Sequence, residues 1–394
     1  MQGVTQMRQS RPEINAFLLA LAGATVLMIG MGYGRFAFTG ILPVMLSDQI
    51  LTLRQGNLAA SANYAGYLLG ALLLAKAKPE QATRMNIVSV ILTLICLALL
   101  AWLRSPLAII ILRGLAGVLS AVTLISASLW LLQHMKHHNG APVLFAGVGM
   151  GIFLSAEFIA AGKALAFSSQ QIWLLCAITA TVLFLCALRG LLSPADSLLA
   201  LKSGAATTMP RDNGRTSDAV KLLLIYGLAG FGYIITATYL PLFLHGALSG
   251  IDPVHLWAAF GLAAVPSCFI WHQLVLKIGY QRAFCSNLVI QAFGVTLPAW
   301  SHSFTFCLLS ALLVGATFLG TVTIALSEGK RLNQAVKFNM IAALTATYGV
   351  GQIIGPLVAD GLYSLTGSFN PSLLTASGVL LGAAGLVACD RRQQ

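Results

Sequence analysis

The sequence predicts an all-α integral membrane protein of about twelve transmembrane helices, arranged as two pseudo-symmetric six-helix bundles. Three observations carry this reading. Of the 394 residues, 58% are hydrophobic and only 9% are charged, whereas a soluble domain carries roughly 25% charged residues. Such a chain cannot cover a water-facing surface and needs lipid as its solvent. Long apolar runs, for example 86–103 and 222–246, reach the ~20 residues that a helix needs to cross the hydrocarbon. Landmarks of the first half also return in the second: Gly34 and Pro43 as Gly232 and Pro241, Gly117 as Gly315, and Gly147-Val148-Gly149 as Gly349-Val350-Gly351. Helices are the expected spanning structure because they satisfy every backbone N–H and C=O internally. Barrel strands would show short alternating segments instead.

Taken along the chain, the first span covers 15–46. Polar residues precede it without a cleavage pattern, so it is expected to stay in the mature protein rather than leave as a signal peptide. Spans at 56–76, 85–103, 106–133, 141–165 and 170–190 complete a first bundle over residues 1–190. The stretch 191–218 is rich in Ser, Pro, Asp and Arg and reads as a cytoplasmic linker. The second bundle, 219–394, holds spans at 219–245, 254–276, 283–301, 304–327, 336–363 and 371–390. Repeats related in this way build many secondary transporters, with the substrate site at their interface.

Basic residues gather in every second connection: Arg8 and Arg11, Lys76 to Arg84, Lys136, Arg189 to Lys221, Lys277 and Arg282, Lys330 to Lys337, and Arg391 and Arg392. The other connections show Arg54 and Arg104. The positive-inside rule then places both termini in the cytoplasm, in a bacterial inner membrane. The net charge of +12 reflects this topology and contact with anionic lipid. Nucleic acid is not an expected partner, since that would require a basic face on a soluble domain.

The seven cysteines form no CxxC pair and read as small buried hydrophobes, not as a disulfide framework or zinc site. The run His134-Met135-Lys136-His137-His138 has no partner cluster for a metal. No Walker A, HExxH or GxSxG pattern occurs, so no cofactor is expected and an ion gradient, of protons above all, is the expected energy source.

Three motifs carry a family resemblance. Met31-Gly32-Tyr33-Gly34-Arg35-Phe36-Ala37-Phe38-Thr39 with Leu42-Pro43 resembles the first helix of the YbfB/YjiJ-type family of the major facilitator superfamily. Tyr226-Gly227-Leu228-Ala229-Gly230-Phe231-Gly232-Tyr233 with Leu240-Pro241 is similar to its seventh helix, and Thr345, Tyr348-Gly349-Val350-Gly351-Gln352 and Gly355-Pro356 to its eleventh. Arg113, Gly114 and Gly117 resemble the superfamily's fourth-helix motif. The first basic loop (Lys76, Lys78, Glu80, Arg84) lacks that superfamily's usual glycine and aspartate, and the fifth helix lacks its Gly-Pro. The resemblance implies the major facilitator fold, a monomer, and transport of a small molecule by alternating access. It supplies no substrate.

An ionisable group inside a span costs roughly 2.5–3.5 kcal/mol on insertion scales and persists when paired or facing water. Arg35, Arg113 and Glu157 are such groups, and their depths place them together in the outer half of the first bundle. Glu157 is expected as the titrating carboxylate of a proton-coupled site, with an arginine as its charge partner; a static ion pair is the plainer alternative. Asp360 and Lys163, near span ends, are expected to snorkel to the interface. Tyr33, Asn63, Tyr64, Tyr67, Tyr226, Tyr233, Thr236, Thr345, Tyr348 and Gln352 are candidates to line a polar cavity. The pairs Gly30/Gly34, Gly66/Gly70, Gly147/Gly151 and Gly351/Gly355 offer flat surfaces for close helix packing, on which the helices would also move. Pro43 and Pro241 are expected to end or kink equivalent helices.

The function expected is secondary active transport of a metabolite, drug or organic anion, in or out, with protons as the coupling ion. A lipid-modifying enzyme would need clustered catalytic groups at one interface. A sensor or scaffold would need a soluble output domain.

Overall fold

The computed structural model describes residues 16–74, 77–137, 140–192, 216–240, 252–332, 335–338 and 340–389. Pro241, Lys76, His138, the terminal basic residues and most of the 191–218 linker lie outside them. The described chain forms twelve long helices: α1 (Ala16–Ser47), α2 (Leu53–Leu73), α3 (Ala82–Leu100), α4 (Pro106–His134), α5 (Ala141–Ala164), α6 (Ser169–Leu191), α7 (Thr216–Tyr239), α8 (Val254–Ile278), α9 (Tyr280–Trp300), α10 (Phe304–Leu332), α11 (Met340–Thr366) and α12 (Asn370–Ala388). No strand occurs among the described residues.

Eleven of the helices are long and apolar enough to cross a membrane. The twelfth, α2, has 21 residues but buries Asn57, Ser61, Asn63, Tyr64 and Tyr67. Its polar groups face other helices, so composition alone understates its burial. Two helices start with a reciprocal cap. Thr52 N–H donates to Gln55 Oε1 (2.8 Å) while Gln55 N–H donates to Thr52 Oγ1 (3.3 Å), starting α2; Ser168 and Gln171 repeat this at α6.

Odd and even helices alternate in direction. The beginnings of α1 and α7 and the end of α12 share one face, called here the terminal face. The start of α2, the end of α5 and the start of α8 lie at the opposite face.

Glycines set the packing of both bundles in matching ways. A Cβ on Gly117 of α4 would overlap the Asn63 carbonyl of α2, and one on Gly315 of α10 would overlap the Phe260 carbonyl of α8. Gly147 and Gly151 of α5 press on the α1 backbone at Ala24 and Met28, while Gly351 of α11 presses on Gly227 of α7 and Gly355 on Ile234. The Gly147/Gly151 pair thus packs inside its own bundle, not across the interface. Gly149, between them, crosses it: its Cβ position lies 2.6 Å from the Gly261 carbonyl of α8.

Pro43 does not end its helix. It lies inside the last turns of α1, which continue to Ser47. The first bundle contributes α2 and α5 to the interface, and the second α8 and α11.

Candidate functional site

The centre of α1, Met28–Phe36, is wound as a π-helix and every residue of it is buried. A π segment widens the turn to i→i+5 bonds and is frequently found at functional sites. Alternating glycines make the wide turn packable here. Gly30 meets Thr123 of α4, Gly32 meets the Gly151 backbone of α5, and Gly34 lies 2.9 Å (by its Cβ position) from Thr93 of α3. At the return to α-helix, Ala37 N–H bonds to the Gly32 carbonyl. Arg113 serves this stretch of backbone. Its Nη1 donates to the Gly34 carbonyl at 2.8 Å and its Nη2 to the Arg35 carbonyl at 2.9 Å. Its guanidinium also covers the Phe38 ring at 4.5 Å. Arg113 is therefore a positioning residue for Arg35.

The Arg35 side chain is 3% exposed and points between the bundles. Its Nη2 donates to Gln352 Oε1 at 2.7 Å, while Nε and Nη1 have no partner. Its guanidinium carbon lies 4.0 Å from the Tyr67 ring centroid, 5.0 Å from Tyr64 and 5.4 Å from Phe36. Gln352 Nε2 donates to Tyr233 Oη at 2.5 Å, which orients the amide so that its oxygen faces the arginine. From Tyr233 a column of rings runs along the second bundle: Phe318 at 4.8 Å, Tyr348 at 5.6 Å, and Tyr226 at 4.3 Å from Tyr348, all stacked. The first bundle thus offers a cation and the second an aromatic wall. Between them is a cavity of about 100 Å³ that extends from Arg35 towards the terminal face, past Phe145, Leu326 and Thr345.

Of the candidates named from sequence, Arg35, Tyr67, Tyr226, Tyr233, Thr345, Tyr348 and Gln352 meet at this cavity. Tyr64 turns its ring to Arg35 and its hydroxyl to Thr238 Oγ1, 3.0 Å away. Tyr33 and Thr236 are buried away from the cavity wall. The expected grouping of Glu157 with the arginines does not form. Glu157 Oε1 lies 3.0 Å from His255 Nδ1 with its side chain 40% exposed, because its face of α5 turns to the start of α8 rather than to α1. Phe318 completes the wall, and only periodicity within an apolar run could have singled it out.

At the opposite face the bundles are tied together. Lys163 donates to Asp252 at 2.6 Å, Asn57 Nδ2 to Asp360 Oδ1 at 2.5 Å, Tyr239 Oη to Asn57 Oδ1 at 2.7 Å, and Thr39 Oγ1 to the Ala237 carbonyl at 2.9 Å. Lys163 and Asp360 thus bridge the bundles instead of snorkelling, because each finds a partner on the other bundle at its own depth. Partly exposed ion pairs of this kind contribute about 0.2–1 kcal/mol each. Spin labels at Arg54 and Thr366, on α2 and α11, are expected to report a longer-distance population when Lys163→Ala and Asp360→Ala are combined. An unchanged distance distribution by electron–electron resonance would show that these bonds do not hold the face shut.

The family model described as uncharacterised MFS-type transporter YbfB matches residues 27–388. Among solved structures, a point mutant of the nucleoside transporter NupG superposes with a TM-score of 0.67 at 15% identity, over 94% of this chain and 99% of that one. The human organic anion transporter MFSD10 (TETRAN) superposes with a TM-score of 0.61 at 16% identity, over 95% and 99%. No curated protein matches by sequence. At these identities the structural likeness shows the fold.

Proposed function

Because the chain belongs to the YbfB-type family of the major facilitator superfamily, and is thus a transporter and not an enzyme, we propose that it carries a small organic anion across a bacterial inner membrane by alternating access. One observation carries the choice of anion. Arg35 is buried between the bundles with two of its three nitrogens unpartnered, and no carboxylate pairs with it among the described residues. A guanidinium matches a carboxylate in both charge and geometry, and the ring column beside it suits a planar apolar body.

Residues 1–190 and 219–394 are the two rocking bodies in this reading, with 191–218 as the linker and a monomer as the working unit. Described basic residues such as Lys78, Arg84, Lys136, Arg189, Lys277 and Arg282 lie at the terminal face, which supports cytoplasmic termini. The cavity reaches towards that face while the other is bridged, as in an inward-facing state. Proton coupling through Glu157 would act on the opposite-face closure, where it meets His255, and not on the substrate arginine.

The ring column also favours a second reading, a planar uncharged solute such as a nucleoside, the ligand class of NupG by its description. Proteoliposome uptake separates the two. The anion reading expects 4-hydroxybenzoate to accumulate above protein-free vesicles and uridine not to. Uridine uptake without 4-hydroxybenzoate uptake would reverse the assignment.

A further inference from the structure

We propose that this carrier is an exchanger, which crosses between its two orientations with an anion seated on Arg35 and not when empty; the inference rests on the anion reading above. The argument is one of charge. Five carboxylates on the long helices and their flanks are engaged elsewhere: Asp48 with the Ser169 N–H, Asp252 with Lys163, Glu157 with His255, Glu328 with Arg331 and Asp360 with Asn57. None pairs with Arg35 or Arg113 among the described residues, and the cavity wall itself holds no carboxylate, histidine or lysine. Two guanidinium groups therefore sit in the middle of the bundles without a counter-charge. The polar and aromatic contacts of Arg35 offset part of this: one amide oxygen and three ring faces.

In the present arrangement the cavity leads towards the terminal face, while the open nitrogens of Arg35 are themselves out of reach of solvent; opening the bundles further on that side would hydrate them. To carry Arg35 from that side to the opposite face the bundles must pass through a closed arrangement such as this one. Such closure leaves unmet N–H donors and a full charge in a low-dielectric interior, a costly state. Deprotonation offers no escape, because a guanidinium holds its proton in proteins. A bound carboxylate supplies both the missing acceptor and the missing charge, so the loaded carrier passes through the closed state and the empty one stalls. A neutral solute leaves the cost in place. Exchange of one monoanion for another moves no net charge.

Proteoliposomes containing the full chain, filled with Hepes alone or with Hepes and unlabelled 4-hydroxybenzoate, test this. Uptake of the radiolabelled compound is expected to be about tenfold or more faster with the anion inside and indifferent to an imposed membrane potential. Equal rates in the two lumens would overturn exchange while leaving anion transport standing. Uptake in neither lumen, with no quenching of intrinsic fluorescence on adding the compound, would overturn the anion reading itself. A readout independent of transport uses spin labels at Arg54 and Thr366. Without anion the wild-type pair should stay at the short distance, whereas Arg35→Gln, having lost the charge, should populate the long one. Wild-type protein that samples both distances without any anion would sink the proposal.

Discussion

Replacing Arg35 with glutamine is expected to lower affinity for 4-hydroxybenzoate by about a hundredfold, measured by fluorescence titration of purified protein, and to abolish its uptake. A hydrogen bond to a charged group contributes about 1.5–3 kcal/mol, and loss of a desolvated charge partner about 2–5 kcal/mol, which puts a hundredfold loss at the low end of the range. Arg35→Lys keeps the charge but loses the planar fork, and an intermediate loss, about tenfold, is expected. The fold should survive both changes. Arg35 makes one side-chain hydrogen bond, to Gln352, and its backbone is held by Arg113 and by the surrounding glycine contacts. A glutamine variant that binds the anion as tightly as the wild type would remove Arg35 from the site.

Gly32→Ala is expected to cost about 3 kcal/mol or more and to sharply reduce the yield of monodisperse protein. Overpacking typically costs about 1–3 kcal/mol even when side chains can shift. Here the obstacle is backbone: the new methyl would overlap Gly151 of α5. Gly151→Ala should behave alike, because its Cβ position lies 2.6 Å from both Cα and O of Met28. Gly382→Ala on α12 is the control. Nothing lies within 4 Å of its Cβ position, and alanine favours a helix over glycine by about 0.8–1.0 kcal/mol. Size-exclusion profiles after a heat ramp compare the three. Equal profiles for Gly32→Ala and Gly382→Ala would mean that the π segment can relax away from α5.

These expectations draw on two kinds of information. The membrane helices, their alternating direction and the two-bundle plan are legible residue by residue, because lipid as solvent demands apolar runs of fixed length and self-satisfied backbones. Even the packing role of Gly147/Gly151 and Gly351/Gly355 follows from small residues at four-residue spacing in corresponding spans. Arg35, Tyr233, Tyr348 and Gln352 stood out for the same reason: polar groups are conspicuous against an apolar background. What sequence spacing left open was which face of a helix meets which distant neighbour. Glu157, Arg35 and Arg113 have similar depths, yet Glu157 turns to His255 on the other bundle while Arg113 turns to the backbone of α1. Depth is set by distance along one helix, at about 1.5 Å per residue. Partnership is set by rotation about the helix axis and by the register of helices far apart in the chain, and a π segment such as Met28–Phe36 shifts that rotation for everything beyond it. Composition and periodicity therefore determined the architecture and the candidate residues, and only the packed tertiary structure showed that Arg35 has no counter-charge among the described residues.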